Sequence, residues 1–71
     1  MSESVYRVTE VIGVSGDSWE AAARNAIETA ARTVRDLRVA EATRFDVTIK
    51  DGTVENYRVR LDISFKYESE S

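Results

Sequence analysis

Residues 38 to 67 read RVAEATRFDVTIKDGTVENYRVRLDISFKY, two alternating runs joined by Asp51-Gly52. Asp-Gly between such runs is a strong signal for a two-residue hairpin, because both central positions of the favoured turn need a positive φ. In the return run Tyr57, Val59, Leu61, Ile63, Phe65 and Tyr67 share one face, and Asn56, Arg58, Arg60, Asp62, Ser64 and Lys66 share the other. That is the period of a half-buried strand. In the outgoing run Val39, Thr43, Phe45, Val47 and Ile49 share one face with Glu41 as a polar intruder, opposite Arg38, Arg44, Asp46, Thr48 and Lys50.

Working outward, Val5 to Val14 is rich in β-branched residues and apolar on both alternating sets, which predicts a strand with apolar contacts on each face. It is expected to end at Gly13-Val14-Ser15-Gly16, where two glycines free the backbone to turn. A helix comes next, capped by Asp17 with Glu20 as its box partner, or by Ser18 one residue on. Trp19, Ala22, Ala23, Ala26, Ile27, Ala30, Ala31 and Val34 recur at helical spacing, and Glu20, Arg24, Glu28 and Arg32 form Glu-to-Arg pairs four apart. The stripe carries five alanines, so it lies close on a sheet yet buries little area. Trp19 belongs to it and is read as a packing residue.

The order strand, helix, strand, strand predicts an α+β fold, a single domain over residues 1–71. A right-handed crossover makes the first two strands parallel, and the third inserts between them antiparallel to both, giving order 2-3-1 partly wrapped around one helix. Lengths then conflict. Strands of about thirteen residues extend ~43 Å, whereas a helix of about eighteen covers only ~27 Å. Long free edges and uncovered apolar side chains would invite aggregation of a monomer, so a closed homo-oligomer is expected.

The 71 residues are 42% hydrophobic and 32% charged, with no Cys, His or Pro. Thiol and imidazole nucleophile systems and Cys/His metal sites are therefore absent, and an enzyme is not expected. A net charge of −3 without a basic stripe argues against nucleic acid, despite a GxxG at Gly13 to Gly16. That segment is also neither a P-loop nor a dinucleotide fingerprint. No apolar run is long enough to span a membrane, and Met1 to Ser4 lack the pattern of a secretory signal, which predicts a cytoplasmic protein.

No calcium-loop motif stands in the chain. A metal site would have to be assembled across subunits from strand carboxylates, for which Glu10, Asp46 and Asp62 are the candidates. Each competes with a salt bridge to Arg7, Arg44, Arg58 or Arg60.

Taken together, VYRV (5–8), EVIGVS (10–15), SWEAA (18–22), DLRVAE (36–41), DG (51–52) and YRVRLDISF (57–65) resemble the dodecins. The resemblance implies a β-α-β-β subunit in a hollow homododecamer that stacks riboflavin, lumichrome or FMN between tryptophans and holds the ring edges with a glutamine. This chain has Val39 at the tryptophan position and Arg58 at the glutamine position. Asp46 stands where some members use an arginine toward coenzyme A phosphate. Val39 with Tyr57-Arg58 resembles the calcium dodecin branch, which keeps the assembly and lacks the flavin residues. The resemblance thus implies a storage protein whose partners are its own copies and whose small ligand is a divalent cation, calcium; it maps no metal ligand onto this chain, and Glu10 and Asp62 stand as candidate metal residues from their places in the strands alone. The alternatives are a flavin store with a rearranged pocket at Val39, Arg58 and Asp46, and a purely structural assembly.

Overall fold

The computed structural model describes residues 5–66. Tyr67, the polar tail at residues 68–71 and Met1 to Ser4 lie outside the described residues. Strand β1 (Tyr6–Ser15) is followed by helix α1 (Trp19–Ala30) and by strands β2 (Leu37–Lys50) and β3 (Thr53–Lys66). The sheet order is β1-β3-β2, the expected 2-3-1 read from the other edge, and both pairings are antiparallel.

The hairpin forms as the sequence predicts. Asp51 and Gly52 have φ of 52° and 77°, the pair of positive angles that a tight turn between twisted strands requires. The Thr53 hydroxyl closes the turn by donating to the Lys50 carbonyl oxygen at 2.9 Å. At the helix start Ser18, not Asp17, is the cap: its side chain accepts from the Ala21 amide at 3.0 Å.

Helix α1 is shorter than the stripe implies, twelve residues rather than about eighteen. Beyond Ala30 the amides of Arg32 and Thr33 bond three residues back, to Thr29 and Ala30, which tightens the chain. The β-branched Thr33 and Val34 favour leaving the helix. Asp36 then turns the backbone into β2 with φ of 59°. The Glu20–Arg24 and Glu28–Arg32 pairs do not close to salt-bridge distance, since exposed pairs gain too little to hold two long side chains in place.

The core lies between α1 and the near face of the sheet: Ala22 and Ala26 of the helix pack on Val59, Leu61 and Ile63 of the central strand. Burying each of the larger three contributes about 1.5–3 kcal/mol, and the alanines add little. Gly13 sets how close the layers come. It sits inside β1, which continues to Ser15, so it is not the turn residue its sequence context suggested. A Cβ at Gly13 would lie 1.9 Å from the Ala22 carbonyl oxygen and 3.0 Å from the Ala26 Cβ. Only a bare Cα fits there.

The faces of β2 also differ from simple alternation. Ala42 opposes Leu61 and Arg44 opposes Arg60, so Thr43 is an extra residue in a bulge, and Arg38 is another between Leu37 and Val39. Each extra residue reverses the facing of the strand beyond it. Phe45 and Val47 therefore face the helix side, opposite Val59 and Tyr57, while Val39 and Glu41 lie on the far face, opposite Ser64 and Asp62. Glu41 is no intruder; it belongs to the polar face.

Gly13→Ala is expected to destabilise the protein by about 1–3 kcal/mol through overpacking, read as a lowered melting temperature; wild-type melting would contradict the close approach. Gly52→Val should cost about 1–2 kcal/mol from the left-handed backbone alone, since nothing lies within 4 Å of the added carbon. Gly52→Asn should melt close to wild type, because Asn tolerates that conformation.

Candidate functional site

All five candidate residues stand on the far face, the side of the sheet away from α1. The register arranges that face in rows across β1, β3 and β2: Val14, Arg58 and Asp46; Ile12, Arg60 and Arg44; Glu10, Asp62 and Glu41; Val8, Ser64 and Val39. Alternation along β3 and the bulge at Thr43 together create this pattern.

Arg58 and Asp46 meet in a two-pronged ion pair, Nε to Oδ1 at 2.8 Å and Nη2 to Oδ2 at 3.1 Å. Hydrogen bonding from Arg58 is the main cause that holds the Asp46 carboxyl below its usual range; partial desolvation opposes it, and the charges of Arg58, Arg44 and Arg60 add to it. The same contact raises Arg58. Both side chains remain 39% exposed, so the pair is a surface clasp.

Val39 is 63% exposed, and its carbonyl oxygen accepts from the Ser64 hydroxyl at 3.3 Å. Its row is three rows from the clasp, so one subunit does not bring Val39 together with Arg58 and Asp46. The cavity beside Val39, also lined by Ile27, Leu37, Ala40 and Ile63, is about 130 Å³, below the few hundred of a typical small-molecule pocket. Among the rows described, the only aromatic side chain on the far face is Tyr6, opposite Lys66 at the edge. The other rings gather on the near side: Trp19 meets Tyr57 and Phe45 edge-on at 5.1 and 5.9 Å, and its indole N–H donates to the Asp46 carbonyl oxygen at 3.3 Å. Trp19 is 39% exposed, so it is half-covered rather than enclosed.

Glu10 and Asp62 are brought directly opposite each other, and Glu41 completes the row on the other side of Asp62. Sequence reasoning missed Glu41 because the bulge hides its face. Its carboxylate in an apparently apolar run was the available signal. Glu10 leans toward Arg60, Oε2 to Nε at 3.9 Å, and among the described residues neither Asp62 nor Glu41 makes a salt bridge. No group of three or more Asp or Glu among the described residues converges enough to hold a metal ion. Calcium needs six to eight oxygens, so one subunit supplies part of such a shell and does not complete it.

The sequence model of the family described as Dodecin matches residues 5–68. The chain belongs to the dodecin family. The calcium dodecin of Mycobacterium tuberculosis is 41% identical over 63 residues, covering 89% of each chain. Among solved structures, the dodecin from Streptomyces coelicolor matches with a TM-score of 0.93 and 41% identity, over 99% of this chain and 100% of that one. The calcium-chelating calcium dodecin of M. tuberculosis, described as having a novel calcium-binding site, matches with a TM-score of 0.81 and 38% identity, over 94% and 96% of the two chains. The dodecin fold expected from the sequence is thus the fold observed.

The clasp gives this dodecin a definite acid response. Asp46 titrates lower in the folded state, so the clasp stabilises above the ordinary aspartate range and that contribution is lost as the pH falls through the folded value. Arg58→Gln should lower the melting temperature at neutral pH, with the gap to wild type closing in strong acid. A gap that is constant with pH would contradict the pairing.

Proposed function

We propose that this dodecin is a non-enzymatic small-ligand-binding and storage shell of twelve copies that takes a divalent cation, calcium, in preference to flavin. The observation that carries the reading is the row of Glu10, Asp62 and Glu41 across the sheet. Like charges directly opposite one another destabilise a sheet, and a cation would relieve that repulsion. The row is incomplete as a calcium shell, so further oxygens would come from water or from another copy. The name of the M. tuberculosis relative, a calcium dodecin, supports the same direction.

The flavin reading finds less support. Stacking contributes about 0.5–1.5 kcal/mol per aromatic pair beyond burial, and the far face offers Val39 where the resemblance implies tryptophan. Arg58 is held by Asp46 rather than free to meet a ring edge.

Calorimetric titration with Ca²⁺ is expected to show saturable binding that Glu10→Gln with Asp62→Asn weakens about tenfold or more. Titration with FMN, riboflavin and lumichrome should leave flavin fluorescence nearly unquenched. Submicromolar flavin affinity with no calcium heat would overturn the reading.

A further inference from the structure

The bulge at Thr43 creates a pair of arginines on the far face. The Thr43 hydroxyl donates to the Arg60 carbonyl oxygen at 3.3 Å, and the extra residue sets Arg44 directly opposite Arg60. Like charges opposite one another cost stability in a sheet. Neither guanidinium is matched by a carboxylate. Arg44 makes no salt bridge among the described residues, and the Nε of Arg60 is buried without a hydrogen-bond partner, with the Glu10 carboxylate no nearer to it than 3.9 Å. A charged donor buried without an acceptor is costly. Asp46, in the row beyond, gives both its oxygens to Arg58. Ile12, the third member of the basic row, is apolar and offers no acceptor.

We infer that Arg44 and Arg60 form the oxyanion half of a paired-ion site, in which a phosphate group bridges the two guanidiniums and a calcium ion on the adjacent row of Glu10, Asp62 and Glu41. The inference rests on the calcium reading above and names the counter-ion. Charge sets the order of binding. Three carboxylates beside two arginines repel an anion, whereas a divalent cation on the acidic row reverses that balance. The metal also engages Glu10, which leaves Arg60 to another acceptor. Geometry lets one group reach both rows. Adjacent rows on one face lie about 6.7 Å apart; a Ca–O contact of about 2.4 Å and an N–O contact of about 2.8 Å cover roughly 5 Å of it, and the width of the phosphate supplies the rest. A phosphate has oxygens for two guanidiniums and a metal at once, and arginine matches them in two-pronged contacts. It also contributes to the six to eight oxygens that calcium takes, which one row of carboxylates does not complete.

Coupled titrations of the full chain test this. Calcium affinity is measured by calorimetry in chloride buffer, then with methyl phosphate, a soluble phosphate monoester, and then with inorganic phosphate kept below calcium phosphate precipitation. The phosphate group is expected to tighten calcium binding about tenfold, and calcium to tighten methyl phosphate binding by the same factor, as linkage requires. Arg44→Gln with Arg60→Gln should bind calcium in chloride at least as well as wild type, since two nearby positive charges are gone, and should lose the enhancement. Arg44 is exposed, so Arg44→Gln alone keeps the fold and should lose most of it, which decides the matter where circular dichroism shows the double variant unfolded. An enhancement by both probes assigns the site to the phosphate group itself, by inorganic phosphate alone to the free ion, and by methyl phosphate alone to an ester; each supports the inference. Calcium binding that neither probe tightens, or an enhancement that the arginine variants retain, would overturn the inference and leave the calcium reading standing. No calcium binding in any of the buffers would overturn both.

Discussion

The subunit depends on how closely α1 lies on β1. Gly13 presents a bare Cα to the Ala22 carbonyl, and Ala26 completes the contact, so the two layers approach to a distance that any side chain at Gly13 would forbid. This brings the helix down onto Val59, Leu61 and Ile63 and creates the only fully covered part of the hydrophobic core among the described residues. The same choice of alanine and glycine keeps that core thin. A sheet held by two alanines and three larger residues gains little beyond the entropy it must offset.

Length compounds the shortage. Twelve helical residues reach about 18 Å, while fourteen-residue strands extend about 46 Å, and the chain is 55 Å in its longest dimension. The helix covers the middle of the sheet only. Phe45, Ile49 and Val54 toward the hairpin tip, and Val8, Ile12 and Val39 on the far face, stay open to solvent in the isolated subunit. Both β1 and β2 are edge strands with an unpaired side. Further copies of the chain would be the cover that symmetry supplies most simply.

Much of this was legible in the sequence, and the illegible parts share a cause. The Asp51-Gly52 turn, the two faces of β3 and the alanine stripe come directly from residue type and period, and they lead to the observed strand order. The bulges at Arg38 and Thr43 do not, because an extra residue carries no side-chain signature and merely shifts the alternation beyond it. That single effect misplaced Val39 and Glu41 and hid the carboxylate row. Gly13 looks like a turn residue in the sequence because glycine marks turns and close approaches alike, and only the position of Ala22 separates the two. The end of the helix is hidden in the sequence because the apolar spacing persists to Val34 after the hydrogen bonding has changed. Of the site residues, the Asp46–Arg58 contact depends on a further register shift between Thr48 and Ile49, without which the Asp51-Gly52 turn would set Asp46 opposite Tyr57, and that shift carries no signature in the sequence either.

The central claim is that this subunit is completed by copies of itself. Sedimentation equilibrium of the untagged chain at micromolar concentration tests it most directly. The account predicts one species at about twelve times the 8.0 kDa chain mass, unchanged on dilution through that range. A stable species at 8.0 kDa would contradict it.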